Sequence, residues 1–575
     1  MKSQRDRCRR PAGTQKTASA AAVAAMCAGL AANVAAMEID VGNPDVKLRF
    51  DNTVSYSAAE RLKNPSDGLA GATAVAPGVF APNNANGDDG DNNFRRGLIS
   101  NRLDLFSELD ISYRQFGFRA SAAAWYDAVY QRGNDNDNAF RTVNSVSVPA
   151  NRFTAATQDI HGHRGEVLDA FVFGKLQLGG LPTTFRAGRH SLQWGESLFI
   201  GGNAIAGTMQ PVDVVKLLSA PGSQFKEIIR PVNQLSGQIQ LSEAVSLAAF
   251  YQLQWARNRL PAVGSFFSTD DYIGNGAERI NTGAPVFAPN PPFSTSVPFF
   301  PGFNKIPDRE AKNSGQGGMQ LRFRLPGGQT DYGLYAVRYH SKGPILLTYG
   351  NPASDNSMTG GPGSFNSVFH EGVRAFGASF STTFGDLNLA GEASVRRNLD
   401  LVTKVTPADQ PGDYAVGNSA HAQVSWLYSL TPNFLFKDSL WLGEIAWNRL
   451  TGITRNAKNL DPNTTRQAFA LRTVFAPKFA QALPGWDLEV PVGLGYNLHG
   501  RSSVVTSFNG IAGEHAGDLS LGLKGTYLAQ WRLAANYTHY IGREAPNVNG
   551  TGSAYNFGQP LKDRDFVSLT ASTTF

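Results

Sequence analysis

The chain has 575 residues, of which 42% are hydrophobic, 11% aromatic and only 17% charged, and 60 are Gly. Both cysteines, Cys8 and Cys27, fall in the first 36 residues, so residues 37–575 hold no disulfide, thiolate metal ligand or Cys nucleophile. Those first 36 residues also carry six Lys/Arg and one Asp, so the remainder has 46 basic and 45 acidic residues and a net charge of +1 instead of +6. The pI near 9.1 therefore reports the N-terminal segment and excludes a nucleic-acid surface.

In chain order, residues 1–36 read as a signal peptide. A basic start (Lys2, Arg5, Arg7, Arg9, Arg10, Lys16) leads into the Ala-rich run Ala18–Ala32, and Val34-Ala35-Ala36 supplies small residues for cleavage. Alternation then begins. Val46–Tyr56, Leu103–Tyr113 and Phe116–Tyr130 place apolar residues two apart on one side and polar ones on the other, as a strand between an apolar and a polar phase does. Paired segments in the same pattern follow: Leu168–Leu178 with Thr183–Trp194, Gln234–Leu241 with Val245–Trp255, Met319–Arg324 with Thr330–His340, and Gly372–Phe384 with Leu387–Arg397. Ala420–Ser429 with Phe434–Trp447, Gln467–Phe475 with Trp486–Leu498, Leu519–Tyr527 with Trp531–Tyr540, and a last strand ending at Phe575 complete the set. Joints such as Arg114-Gln115, Gly385-Asp386 and Leu430-Thr431-Pro432-Asn433 are short and rich in turn residues. The links between pairs, such as 57–102, 131–167, 195–233 and 256–318, are long.

About eighteen strands, short turns on one side and long loops on the other predict an all-β fold. It is a transmembrane antiparallel β-barrel over residues 37–575, with short periplasmic turns, long extracellular loops and an outer-membrane location in a Gram-negative bacterium. Its expected surroundings are the lipid bilayer and lipopolysaccharide. The C-terminal Phe575, preceded by alternate apolar residues, resembles the signal that the barrel-assembly machinery reads. Trp194, Trp255, Trp447, Trp486 and Trp531, at predicted strand ends, are expected in aromatic girdles. A soluble sandwich or propeller also alternates, but no blade-length repeat is present and the terminal Phe stays unexplained.

Enzyme motifs are lacking: there is no Walker loop, Gly-x-Ser-x-Gly elbow or His-Glu-x-x-His, and no cofactor is expected. Ser197, in Trp194-Gly195-Glu196-Ser197, has no convincing His partner downstream, and His161-Gly162-His163 reads better as solvated loop histidines than as a metal pair. The oxygen-rich runs Asn86–Asn93 and Asn134–Asn138 resemble calcium loops without a closing Glu, but Asn, Asp and Gly are first of all loop formers. The segment Gly195–Val232 is too apolar for a free loop in water. It is expected to fold into the barrel mouth as a constriction or plug, with a short helix starting near Pro211 and with Lys216, Lys226, Glu227 and Arg230 turned to the lumen. The connection 260–307 is dense in Phe; Phe287, Phe293, Phe299, Phe300 and Phe303 form either an apolar vestibule or a self-packed lid. The predicted inward faces carry Asp104, Glu108, Asp110, Arg119, Asp127, Asp169, Lys175, Arg322, Glu392, Arg396 and Arg472, which suit a field across a constriction or an ion-paired interior equally.

Phe185–Phe199, Pro211–Leu218, Phe225–Val232, Arg95–Arg102 and Ala124–Asp127 resemble the proteobacterial outer-membrane family named domain of unknown function thirteen hundred and two, over nearly the whole of residues 37–575. The resemblance implies a barrel often encoded beside a lipoprotein-like partner and an exporter of the resistance-nodulation-division (RND) type, in organisms that degrade steroids, terpenes or aromatics. It supplies no catalytic or binding residues. The expected function is an outer-membrane channel for a small hydrophobic or amphipathic solute of those classes, gated by the in-folded loop. The alternatives are a general or anion-selective porin and a non-conducting partner of an RND-type export system.

Overall fold

The computed structural model describes residues 37–575 except 77–78, 137–145, 220–224, 282–301, 351–362, 406–412, 433–435, 437, 506–507, 511–512 and 550–553. Eighteen antiparallel strands form one closed sheet. They are β1 Val46–Arg61, β2 Gly97–Tyr113, β3 Phe116–Asp127, β4 His163–Leu178, β5 Leu181–His190 and β6 Val232–Ser242. Next come β7 Val245–Gln252, β8 Gln316–Arg324, β9 Asp331–Tyr339, β10 Val373–Phe384, β11 Leu387–Asp400 and β12 Val416–Leu430. Then follow β13 Asp438–Arg455, β14 Gln467–Leu483, β15 (Trp486–Glu489 continuing as Val492–His499), β16 Gly517–Tyr527, β17 Trp531–Ile541 and β18 Phe566–Thr574.

Closure runs between β18 and β1, from Thr53↔Thr574 to Arg61↔Phe566. Asn52 and Phe575 extend it by exchanging both backbone hydrogen bonds, at 2.7 and 2.8 Å. Where β18 runs out, Met37–Ile39 pairs with Leu48–Phe50 on the same edge of β1. Pairing thus runs along this edge of β1 from Leu48–Phe50 through Asn52 to Arg61, as a sheet in hydrocarbon requires.

The register sorts side chains into two sets. Leu103, Leu105, Val172, Met319, Leu334, Phe376, Val424, Ile445, Leu521 and Leu569 stand exposed on the outside. Their neighbours, one residue on, turn to the interior. An exposed apolar belt around a closed barrel is stable only in a bilayer, so the protein is an integral outer-membrane barrel. The turns match: Arg114 sits at φ 53° in the two-residue β2–β3 turn, and Gly179 and Gly180 have φ 59° and 81° in the β4–β5 turn. On the other side, four short strands from the long loops build a small sheet, in the order Arg279–Asn281, Gly302–Lys305, Gly363–Val368 and Ile345–Gly350.

Two Trp residues depart from the girdle expectation. Trp194 and Trp255 lie beyond the ends of β5 and β7 and are both 5% exposed. Trp194 packs edge-on to Phe250 at 5.0 Å, and Trp255 against Phe369 at 4.7 Å. They belong to the interior because the chain leaves the wall and folds inward before reaching them. Trp441, by contrast, stands on the outer face.

The two-sided register makes a prediction within one strand. Leu569→Arg puts a charge in the lipid belt and should cost on the order of 2 kcal/mol, whereas Thr570→Arg, facing inward, should be tolerated. Urea titration of the heat-modifiable band in detergent or lipid measures both; equal costs contradict the assigned faces.

Candidate functional site

The described residues of the segment from Ser191 to Arg230, which joins β5 to β6, do not project outward. They turn into the barrel, and their irregular backbone needs partners that water does not supply there. The wall provides them. Glu392 on β11 accepts the Glu196 N–H at 2.8 Å and the Ile205 N–H at 2.7 Å. Glu444 on β13 accepts the Phe199 and Ile200 N–H groups at 2.5 and 2.8 Å and the Ser197 hydroxyl at 3.3 Å. Arg396, two turns of the pleat from Glu392, donates to the carbonyls of Gly202, Asn203 and Ala204 at 3.1, 2.8 and 2.8 Å. Asn203 sits at the centre, bonded to Gln423, His421 and Asn448.

Apolar contacts complete the docking. Trp194, Ile205 and Met209 join Phe250, Tyr335, Val337 and Val373 in one buried cluster, and Phe199 and Ile200 join Leu442, Ala446 and Ala470 in another. The segment therefore lines the inner wall from β7 to β14. Further along it, Asp213 caps the helix α1 Val214–Ser219 by accepting the Lys216 N–H at 3.0 Å, and a bridge pairs Val212 with Ile229.

Each predicted site residue can now be located. Asp104, Glu108, Asp110, Arg119, Asp127, Asp169, Lys175, Arg322, Glu392, Arg396 and Arg472 all stand on the face opposite the lipid belt. Most are occupied by each other or by backbone. Asp104 pairs with Arg102 at 2.6 Å, Arg119 with Glu108, and Arg472 with Asp518 at 2.6 Å. Asp127 caps its own loop by accepting from Ser100 and the Asn101 and Val129 N–H groups. Glu392 and Arg396 hold the in-folded segment instead of lining a free constriction. Arg322 reaches Glu196 of that segment at 3.7 Å.

Of the four proposed constriction residues, Lys216 is exposed and Arg230 is half-buried beside Glu166 at 3.1 Å. The Lys226 and Glu227 side chains lie outside the described residues. Phe287, Phe293, Phe299 and Phe300 lie outside them as well, and Phe303 is 6% exposed, packed with Tyr272, Ile280 and Phe365. The described part of this connection is thus a packed lid, Phe266 included. His161 also departs from expectation: it is buried, stacked on Tyr130 at 5.0 Å, and accepts the Ala262 N–H at Nε2. Burial pushes its pKa down to about 3, so it stays neutral.

Between the plug and the lid lies a cavity of about 410 Å³. Leu217, Leu218, Phe225 and Ile228 of the plug face Leu260, Phe267 and Ile273 of the lid across it, with Val505 and Phe508 from the β15–β16 loop. Asn258, Leu260 and Pro344 are shared with a second chamber of about 360 Å³, whose wall includes Arg164, Arg230, Arg257 and Arg259. These guanidinium groups are already paired: Arg259 with Glu166 and with Asp213 at 2.9 Å, and Arg257 with Asp308 and Glu310 at 2.7 and 2.8 Å. The chamber offers hydrogen-bond donors in a nearly neutral setting. Sequence reasoning found the plug but missed this pairing of chambers, because their walls come from loops far apart in the chain.

A family model described as protein of unknown function (DUF1302) matches residues 17–575. No curated protein matches the sequence. Among solved structures, OccAB2 of Acinetobacter baumannii is 10% identical, with 92% of this chain and 98% of that chain covered and a TM-score of 0.39. OpdK of Pseudomonas aeruginosa with vanillate is 9% identical over 92% and 98%, at a TM-score of 0.38. OmpT of Vibrio cholerae is 8% identical over 94% and 100%, at 0.33. Likenesses this distant say nothing of solute or mechanism.

Two predictions follow from the anchors. Glu444→Leu removes the acceptor of the Phe199 and Ile200 N–H groups, leaving buried donors unpaired at about 1–3 kcal/mol each. Trypsin should then cut at Lys216 faster than in the unaltered protein; unchanged cleavage means the anchor does not hold the plug. The second concerns pH. Burial, with Glu392 and Asp331 nearby and only partial relief from Arg322, pushes the Glu196 carboxyl up to about 7. A raised carboxyl favours the protonated form in the docked state, so its contribution is complete below its ordinary value of 4.5 and is lost as pH rises toward about 7. Plug cleavage should increase across that window, and Glu196→Gln should reduce the increase.

Proposed function

The chain belongs to the DUF1302 family, and from that premise we propose that it is an outer-membrane channel for a small, largely apolar solute with polar acceptor groups, gated by movement of the segment 191–230. The observation that carries the reading is the apolar cavity between plug and lid, opening beside a chamber of paired arginines. Its volume of about 410 Å³ lies within the roughly 300–1,000 Å³ of small-molecule sites. Steroid, terpene or aromatic solutes suit such a space. Their ring systems fill the apolar part, and a carbonyl or hydroxyl accepts from the guanidinium groups, whose ion pairs leave little net charge to attract a free anion. This favours the apolar-solute channel over an anion-selective porin.

Gly202 and Gly343 both line the cavity with room beside them: a Cβ at Gly202 meets only Val505 at 3.8 Å, and one at Gly343 meets nothing within 4 Å. Gly202→Phe and Gly343→Phe should therefore fill the cavity without disturbing the barrel. In cells with an intact lipopolysaccharide layer, uptake of a neutral steroid ketone should depend on the protein. It should fall about tenfold in either variant, the effect of roughly 1.4 kcal/mol of lost binding, with heat modifiability unchanged. Steroid uptake that ignores both substitutions, together with large chloride conductance in planar bilayers, would sink the proposal and return a porin.

A further inference from the structure

The loop between β1 and β2 brings Asp88 and Asp89 to a short helical turn, Asp89–Asn92. Asp271 arrives from the β7–β8 connection, 183 residues further along the chain. One carboxylate oxygen of each lies within 4.8 Å of the other two. All three residues are buried, at 0%, 1% and 0% exposure. The arrangement is held by the fold, since Asp271 Oδ2 accepts the Asp88 N–H at 3.1 Å and the Asp89 N–H at 3.4 Å.

The neighbouring acid shows what a satisfied carboxylate looks like at this place. Asp91 takes Arg564 in a two-point contact, at 2.9 and 2.8 Å, and Arg61 at 2.8 Å. Arg564 spends its remaining donors on the carbonyls of Phe266 and Ser268. Asp88 has no such partner: neither of its oxygens meets a hydrogen-bond donor at bonding geometry, although it is wholly buried and directed at the other two acids. The Asn92 amide stands against it, its nitrogen directed at the carboxylate but outside bonding geometry.

We propose that Asp88, Asp89 and Asp271 bind a calcium ion that fastens the β1–β2 loop to the lid. Clustered carboxylates in a dry site repel one another unless a cation or protons intervene. The donor set is all oxygen, which suits a hard cation and excludes a preference for zinc or copper. Calcium accepts six to eight oxygens in variable geometry, whereas magnesium demands a near-ideal octahedron and keeps its waters, so an enclosed, irregular carboxylate set favours calcium. The site lies in the loops on the extracellular side. The adjacent residues Ser268, Thr269 and Asp270 form part of the apolar cavity wall, so the ion stiffens that wall whatever solute the barrel carries.

The test uses the full barrel, purified in detergent and stripped with chelator, with calcium chloride as the only added ligand. Calorimetric titration should give one saturable site per chain, weakened at least tenfold in Asp88→Asn and in Asp271→Asn. Thermal unfolding separates an ion from a general packing defect. With calcium, the unaltered protein should melt above both variants; in chelator the order should level or reverse, because each Asn removes a repelling charge. Three results overturn the proposal: no calcium-dependent binding or melting shift in a heat-modifiable sample, binding unaffected by both substitutions, or variants destabilised equally with and without calcium. The last means that the acids share protons and hold no ion. An equal melting shift from magnesium overturns the choice of calcium.

Discussion

The constraint on which everything else rests is that no backbone donor or acceptor can face hydrocarbon unpaired. It forces β18 back onto β1, from Thr53↔Thr574 to Arg61↔Phe566, with Asn52 and Phe575 sealing the end. Closure makes the strand count even and fixes one face of every strand as lipid and the other as interior. It also creates an enclosed volume whose wall is necessarily studded with polar side chains, because strict alternation leaves them nowhere else to go.

That polar wall makes an irregular segment tolerable inside the barrel. A plug of turns and short helices brings its own unpaired N–H and C=O groups, each costly to bury alone. Glu392 and Glu444 take the N–H groups of residues 196–205, and Arg396 takes the carbonyls of 202–204. The charges a porin reading assigns to ion selection are thus spent on structure along β11–β14. The wall of β2–β3, where Asp104 meets Arg102 and Glu108 meets Arg119, keeps its ion pairs to itself. The apolar cavity lies apart from both sets of charges, between the plug and the lid.

The strands were legible in the sequence because alternation is local and repeated eighteen times. Once that pattern is right, the inward face of Arg322 or Glu392 follows from parity alone. The in-folding of Gly195–Val232 was legible too, from an apolar content unsuited to a free loop in water. What those charges touch was not. Glu444 meets Phe199 across 245 positions and Asp88 meets Asp271 across 183, and no spacing rule covers such distances. Trp194 and Trp255 misled for a related reason: an aromatic at the end of an alternating run reads as girdle, and only the inward turn of the chain shows that it packs inside. His161 looked solvated because its burial is supplied by Tyr130 and the lid, both remote in sequence.

The seam and the lid are bound into one unit. Arg61 closes β1, Arg564 lies two residues before the start of β18 at Phe566, and both converge on Asp91 of the first long loop. Arg564 also holds the carbonyls of Phe266 and Ser268, while Phe566 packs edge-on against Phe267 at 5.6 Å. A buried guanidinium between two buried carboxylate-bearing elements is costly to leave half-made, since breaking one partner strands the other charge. The packing of the lid thus includes groups from both strands of the seam. The apolar cavity, walled by that lid on one side and by the plug on the other, is accordingly tied to the closed barrel through the same contacts.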